Sequence, residues 1–107
     1  MVATLVNVAF AQADYRVSFE NSRPKAEMPA LIASTANVEN IATPTISKST
    51  TATASANDLA RITPVGGDVY AAAGAAPTAV AGNLLVIAGT SLVISVAAGD
   101  KIAVIDR

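Results

Sequence analysis

The amino-acid sequence predicts an all-β protein, a small β-sandwich or barrel-like domain with an extended, mostly irregular arm. Five short strand-like runs follow one another within residues 57–107, separated by Gly-containing turns, and the last three are rich in β-branched residues. Another run near the N-terminus alternates apolar and polar residues. Between these regions, residues 24–56 are dense in Ala, Ser and Thr and contain Pro24, Pro29 and Pro44. These three observations favour strands over helices throughout the chain.

Residues 1–23 are predicted to form one or two N-terminal strands. Apolar and polar side chains alternate strictly over residues 15–20, which is typical of a strand with one apolar face. Three side chains share that apolar face: Tyr15, Val17 and Phe19. The sequence of residues 21–24 then supplies turn-forming residues and ends the strand.

Residues 24–56 are predicted to form an extended arm. Few of these residues are large and aliphatic, among them Ile41 and Ile46, so the stretch has little core of its own. Because Pro29 and the β-branched residues disfavour a helix, a short helix over residues 27–40 is the minority alternative. A flexible linker is the other alternative to an arm that becomes ordered against its partners.

Residues 57–107 are predicted to form a small antiparallel β-domain. The five strand-like runs are residues 59–65, 69–73, 84–88, 91–96 and 101–106. Gly66 and Gly67 between the first two runs predict a hairpin, and the Gly-containing turns between the last three predict a meander. Both faces of the last run carry aliphatic residues. We therefore expect that strand to be covered on both sides, by a second sheet or by another subunit.

The composition indicates a thin core that is completed by association. The chain has 107 residues, of which 52% are hydrophobic but only 4% aromatic, and it lacks Trp and Cys. A chain of this length buries only about two-thirds of its unfolded surface, and small aliphatic side chains contribute less to a core than rings do. We therefore expect a homo-oligomer or a component of a larger assembly.

The composition also disfavours several classes of function. His and Cys are absent, and they are the commonest general bases, nucleophiles and soft-metal ligands. The chain is therefore predicted not to be an enzyme, with no cofactor and no metal site. Its net charge is -1 and its seven Lys and Arg residues are scattered, which argues against direct binding of nucleic acid. No apolar run is long enough for a membrane-spanning helix, and the N-terminal run lacks the cation of a secretory signal.

Three acidic residues stand where strands or turns begin: Asp58, Asp68 and Asp100. An Asp at such a position usually accepts hydrogen bonds from nearby backbone N–H groups. We expect this turn-capping role rather than general acid or base catalysis. A calcium site is disfavoured because no calcium-binding loop motif occurs and the acidic residues are spaced far apart.

Two positions are candidate interface anchors. Arg61 lies inside an otherwise apolar strand, and Tyr70 follows the turn at Gly66 and Gly67. Arg and Tyr are enriched in interface hot spots, whereas the alternative is a solvent-facing charge and a core ring. Four apolar residues complete the predicted interface set: Tyr15, Phe19, Ile41 and Ile46.

A series of turn and strand motifs occurs in residues 57–107. A strand carrying Arg61 leads to the Asp-Val-Tyr sequence of residues 68–70, and an Ala/Pro/Thr loop follows over residues 76–79. An Ile-Ala-Gly-Thr turn occupies residues 87–90, and a closing strand begins with the Gly-Asp-Lys sequence of residues 99–101. This series resembles a small β-domain of virion structural proteins in tailed bacteriophages and prophages. Residues 1–56 carry no such resemblance.

The resemblance implies a capsid decoration or cement protein. Such a protein binds and stabilises the lattice of the major capsid protein, is made in the host cytoplasm and ends on the capsid surface of the virion. It implies a homo-oligomer, with a trimer favoured because capsid symmetry axes suit cyclic oligomers. The alternatives are a neck, tail or fibre component of the virion, or a non-viral β-sandwich binding module.

Overall fold

The computed structural model describes residues 5–20, 23–31, 36–42 and 44–107, and of residues 13–20 and 23–31 it describes the backbone. This part of the chain forms β1 (Leu5–Glu20), β2 (Arg23–Leu31), β3 (Asn37–Ala42), β4 (Lys48–Ser49), β5 (Asp58–Val65), β6 (Val69–Gly74), β7 (Leu84–Val86), β8 (Leu92–Ser95) and β9 (Lys101–Asp106). The strands form two antiparallel sheets, and the described residues contain no helix. The predicted all-β sandwich is confirmed.

The first sheet is built on the long strand β1. Its strand order is β2-β1-β5-β8, and β3 also pairs with β1. Residues 5–12 of β1 pair with β5, whereas residues 13–20 pair with β2. Sixteen extended residues span about 50 Å, which equals the 50 Å long axis of the molecule. The β1/β2 hairpin therefore continues past Gln12, the last β1 residue that pairs with β5.

The β1/β2 hairpin takes up the first part of the stretch predicted to be an arm. Pro29 pairs with Tyr15, and Pro24 pairs with Phe19 after a register shift. Because Pro has no backbone N–H, it is tolerated in a strand only at an edge or a bulge. Among the described strands β2 pairs with β1 alone, which makes it an edge strand.

The second sheet has the strand order β4-β9-β6-β7. The predicted hairpin across Gly66 and Gly67 is wrong, because β5 belongs to the first sheet and β6 to the second. The predicted meander of the last three strands is also wrong, since β7 pairs with β6, β8 with β5, and β9 with β4 and β6. Gly66 has φ +88°, which allows a sharp turn but does not choose between pairing within a sheet and crossing to the other one.

The core lies between the two sheets. Along β5, buried residues alternate with more exposed ones, so one face points inward. The largest fully buried apolar side chains come from both sheets: Val6, Val8, Phe10, Ile62, Val69, Val86, Ile102 and Val104. In β9, Ala103 is also buried although it faces outward. Ser49, its neighbour in register, donates a hydrogen bond from Oγ to the Pro77 carbonyl at 3.3 Å, which places a loop over this face. The prediction that the last strand is covered on both sides is confirmed at Ala103, whereas Ile105 on the same outer face is only half-buried.

Residues 37–54 close one side of the sandwich, which we call the β3/β4 side. Glu39 of β3 accepts hydrogen bonds from the backbone N–H groups of Thr51 and Ala52 at 3.0 and 3.1 Å. Lys48 of β4 donates from Nζ to the Ala42 carbonyl at 2.8 Å. Much of the stretch expected to be an irregular arm is therefore extended and paired. Strands from residues 1–23, 24–56 and 57–107 all contribute to the two sheets.

Candidate interaction surfaces

The two predicted anchors lie on opposite outer faces of the sandwich. Arg61 is exposed on β5, between the fully buried Ala60 and Ile62. Tyr70 is half-buried on β6, and both of its neighbours along the chain are buried. Because β5 and β6 belong to different sheets, one flat contact cannot include both anchors. The structure thus separates the predicted interface into two surfaces.

The first surface, the Arg61 face, is the outer side of the first sheet. Two rows of residues cross it in register, Val38-Ala9-Arg61-Val93 and Asn40-Asn7-Thr63-Ser91. In the second row Asn7 Nδ2 donates to Asn40 Oδ1 at 2.9 Å, and the hydroxyls of Thr63 and Ser91 lie 2.7 Å apart. These cross-strand hydrogen bonds fix the polar side chains, so the face keeps one shape.

Arg61 is the one charged residue among the eight of the Arg61 face. Val38 is 53% exposed and Val93 45% exposed, while Ala9 between them is 2% exposed and adds no bulk. The result is a surface of exposed Val residues and uncharged polar side chains that carries a single guanidinium. Such a surface suits a partner that buries aliphatic area and places a carboxylate or carbonyl oxygen opposite the guanidinium.

The second surface, the Tyr70 face, is part of the outer side of the second sheet. Tyr70 pairs in register with Leu85 of β7 and Ile105 of β9. Leu85 is 40% exposed, and Tyr70 and Ile105 are half-buried. The other half of this outer side lies under residues 77–79, where the Ala79 N–H donates to Ser47 Oγ at 2.8 Å. The loop stops short of the three Tyr70-face side chains, which remain open to a partner.

The remaining predicted interface residues fall in different places. Ile41 is 5% exposed and belongs to the core, so its predicted interface role is corrected. Ile46 is 68% exposed in the bend before β4. Tyr15 and Phe19 lie on the hairpin, and their side chains are outside the described residues.

Sequence reasoning missed four residues that accompany the anchors. Val38 and Val93 lie beside Arg61, and Leu85 and Ile105 lie beside Tyr70, only because strands far apart in the chain pair in register. The available signal was local: an apolar residue at an outward position of an alternating strand. Without the pairing, nothing in the sequence connects these positions to either anchor.

The three predicted turn-capping aspartates accept backbone hydrogen bonds. Asp58 Oδ2 accepts from the Ser55 N–H at 2.8 Å, and Asp100 Oδ2 accepts from the Ala97 N–H at 2.9 Å. Asp68 Oδ1 accepts from the Ala88 N–H at 2.9 Å, which ties two turns together. The turn-capping prediction is confirmed, and these carboxylates are committed to holding the backbone.

Among the described residues, clefts lie at both ends of the sandwich. One of about 400 Å³ is lined by Gly66, Gly67, Asp68, Ala88 and Arg107, and one of about 540 Å³ is lined by residues 56–59 and 95–98. In the first cleft Arg107 binds Asp68 at 3.0 Å, and the Ala88 N–H, followed by this ion pair, lowers the pKa of Asp68. The carboxylates of both clefts are thus already engaged by the protein. Within the described part of the chain, no three potential metal ligands come together.

The described residues include no helix long and apolar enough to cross a membrane. Comparison with protein-family models, curated proteins and solved structures finds no match to this chain. The two outer faces and the unpaired strand edges of the sandwich are therefore the features from which a function can be inferred.

Proposed function

We propose that this chain is a structural protein of a bacteriophage virion, a capsid decoration protein that binds and stabilises the lattice of the major capsid protein. The observation that carries the proposal is the presence of two different, partly exposed faces on opposite sides of one small sandwich. A protein that joins neighbouring subunits of a shell needs at least two such faces. An enzyme of this size would instead need a cleft with uncommitted polar side chains.

The Arg61 face is the surface proposed to bind the major capsid protein. A small uncharged area with one guanidinium gives a weak contact whose orientation is set by a charge-assisted hydrogen bond. Repetition of that contact over a symmetric lattice converts weak binding into durable attachment. The Tyr70 face, which has no charged residue, is proposed to contact a second subunit of the shell.

The β1/β2 hairpin is proposed to be the arm that reaches a neighbouring subunit. Residues 13–20 and 23–31 pair with one another beyond the end of β5. A two-stranded ribbon of this kind carries backbone hydrogen-bonding groups along its edges and can add to a partner's sheet. The resemblance in residues 57–107 favours a trimer of the chain, and this trimer stays a prediction. Pairing of two β8 strands, which the open edge of β8 favours, would give a dimer instead, and sedimentation velocity distinguishes the two.

Electron cryomicroscopy of virions that contain the chain tests its location. Density over the head lattice, at threefold or quasi-threefold positions, is the expected result. Density confined to the portal axis or the tail would favour the neck, tail or fibre alternative. Absence of the chain from the particles would reject a virion role and leave the non-viral binding module.

A binding assay tests the Arg61 face directly. Heads that lack the chain are titrated with the wild type, with Arg61→Ala and with Lys48→Ala. Both variants remove one exposed cation, but Lys48 lies on the β3/β4 side, away from the Arg61 face. We expect Arg61→Ala to weaken binding by about tenfold or more and Lys48→Ala to leave it unchanged. Equal affinities of the two variants would reject the assignment of the Arg61 face.

A further inference from the structure

The side of the sandwich formed by β7 and β8, which we call the β7/β8 side, ends in an open sheet edge. β8 is the last strand of the first sheet, and β5 is its one partner among the described strands. Alternate backbone N–H and C=O groups of β8 therefore point away from the sheet. Such an edge is a template on which another strand can pair.

The β8 edge lacks the features with which proteins usually protect an open edge. Charged residues, Pro and bulges are the common protections. Residues 69–99 contain no Asp, Glu, Lys or Arg, and residues 91–96 have the sequence Ser-Leu-Val-Ile-Ser-Val. On the β3/β4 side, by contrast, Glu39 and Lys48 lie on the edge strands. The two sides therefore differ in charge as well as in hydrogen bonding.

The hydrophobic core is left incomplete at the β7/β8 side. Leu92, Ile94 and Val96 pack against the core but are only partly buried. Leu84 of β7 is 51% exposed, and Val93 is 45% exposed on the Arg61 face. Exposed aliphatic area and unpaired backbone groups therefore coincide at one strand edge, and burying both at once would favour association.

We propose that two copies of this chain associate through β8, with the two β8 strands antiparallel about Val93. This register places Ser91 opposite Ser95, Leu92 opposite Ile94, and Val93 opposite its own copy. Every pair joins like with like, and none carries a charge. In such a two-fold pair the same residues of both chains form the contact, and the backbone groups of both open edges become hydrogen-bonded, as expected of an isologous dimer.

A second copy fits this edge better than a charged partner strand does, because residues 69–99 offer no charge for it to pair with. Arg61 lies one strand inside Val93, so the two Arg61 residues of a dimer are separated by three strand spacings, or about 14 Å. At physiological ionic strength this distance exceeds the Debye length of about 8 Å, so their repulsion is largely screened.

The β8 pairing would also join the two Arg61 faces. A two-fold axis perpendicular to the sheet keeps the outer face of each copy on the same side, so the dimer presents a doubled Arg61 face. If that face binds a lattice, the two halves bind together and the second contact becomes intramolecular. The dimer itself does not depend on the proposed function, and it can be measured on the isolated chain.

Sedimentation velocity over a series of protein concentrations tests the proposal with one variant and one matched control. In Val93→Glu the new carboxylate lies beside Arg61 within a monomer, which favours folding. In the dimer the new carboxylates of the two chains would lie opposite each other and repel. Val38→Glu changes the same residue type, in the same cross-strand row, on the opposite edge strand β3. We expect a reversible dimer for the wild type and for Val38→Glu. For Val93→Glu we expect the affinity of the dimer to fall by more than about tenfold.

A second variant, Ser95→Lys, places a charge at another exposed position of β8 and should also weaken the dimer. Circular dichroism and the urea midpoint establish that each variant folds. A wild type that stays monomeric, or that forms a trimer rather than a dimer, would overturn the β8 pairing. Dimerisation of Val93→Glu and Ser95→Lys with wild-type affinity, or equal weakening by Val38→Glu, would overturn it as well.

Discussion

The two sides of the sandwich are closed in different ways. On the β3/β4 side, side chains of Glu39 and Lys48 bind backbone groups of the facing segment. On the β7/β8 side, β8 leaves an uncharged edge and a partly exposed rim of core residues. The polar, Ala/Ser/Thr-rich stretch thus completes its side, while the more aliphatic half of the chain does not. An exposed apolar strand edge favours association with another chain, whereas an edge whose polar groups are hydrogen-bonded within the monomer does not need a partner.

The largest expected difference between the two sides is in the free energy of unfolding that is lost when an Ile side chain is truncated to Ala. Ile41 of β3 is 5% exposed, whereas Ile94 of β8 is partly buried at the rim. We expect Ile41→Ala to lower the free energy of unfolding by about 3 kcal/mol and Ile94→Ala by roughly half of that. Urea unfolding at low protein concentration, where the chain is monomeric, measures both. Equal losses would show that β8 is as well covered as β3.

The positions of the strands in the C-terminal half follow from the sequence. The strand-like run over residues 59–65 and the Gly-containing turns before β8 and β9 delimit elements that the structure shows within one or two residues. The local pattern reports the conformation of each residue and the face to which it points. This is enough to place strands and to find buried positions such as Ile62 and Val104.

The pairing of those strands does not follow from the sequence. A turn at Gly66 and Gly67 serves equally well for a hairpin or for a crossing between sheets, and the choice depends on the partners that β1 and β9 offer. For the same reason the sequence names Arg61 and Tyr70 as candidate anchors but does not say whether they share a surface. Non-local pairing separates them, and short-range patterns contain no information about it.

Removing a single hydroxyl should lower the free energy of unfolding by different amounts at a buried and at an exposed position, and the difference should be smaller than for the Ile variants. Thr50 is buried beside β4, where its Oγ1 donates to the Ala52 carbonyl at 2.9 Å and accepts from the Ile102 N–H at 3.2 Å. Thr50→Val keeps the shape but leaves a buried N–H and a carbonyl without this partner, which costs about 2 kcal/mol. Thr63→Val is the matched control, because its hydroxyl is half-exposed and water replaces Ser91 as partner. We expect a change within about 0.5 kcal/mol for the control; similar losses in both variants would contradict the contrast.

The next effect is a pH-dependent one at Glu39. Burial is the largest single influence and raises the pKa of Glu39. The hydrogen bonds from Thr51 and Ala52 together outweigh burial, so the pKa of Glu39 lies below its ordinary value. The unfolded chain therefore binds this proton more readily than the folded one. The stabilisation by Glu39 is full above the ordinary pKa and is lost as the pH falls through the lowered one.

Glu39→Gln tests this sign. At pH 7 we expect a loss of about 1 kcal/mol, reduced by the partial exposure of the side chain. The urea midpoints of the wild type and the variant should converge as the pH falls below the lowered pKa. A difference that stays constant with pH would mean that the charge of Glu39 does not stabilise the β3/β4 side.

The smallest effect is expected from Asp68, the carboxylate that joins the turn after β5 to the turn after β7. The Ala88 N–H, followed by Arg107, lowers the pKa of Asp68, so its stabilisation is also lost as the pH falls through that lowered value. The hydrogen-bond donors of Glu39 are neutral, and Lys101 adds only a weaker Coulombic contribution. Asp68, by contrast, accepts a hydrogen bond from a charged partner, and the Arg107 side chain of that pair is 55% exposed. Exposed ion pairs contribute little and are screened by salt.

Asp68→Asn should therefore shift the urea midpoint only slightly at low salt, and in about 1 M NaCl the shift should vanish because the Debye length falls to about 3 Å. The shift in Glu39→Gln should persist in the same salt, since its donors are neutral backbone and hydroxyl groups. If the urea midpoint of Asp68→Asn falls by the same amount at low and high salt, the charge of Asp68 stabilises the protein through its hydrogen bond with the Ala88 N–H rather than through the ion pair. In that case the Asp68–Ala88 hydrogen bond would stabilise the β7/β8 side as the hydrogen bonds of Glu39 stabilise the β3/β4 side, and the difference between the two sides would reduce to the uncovered edge of β8.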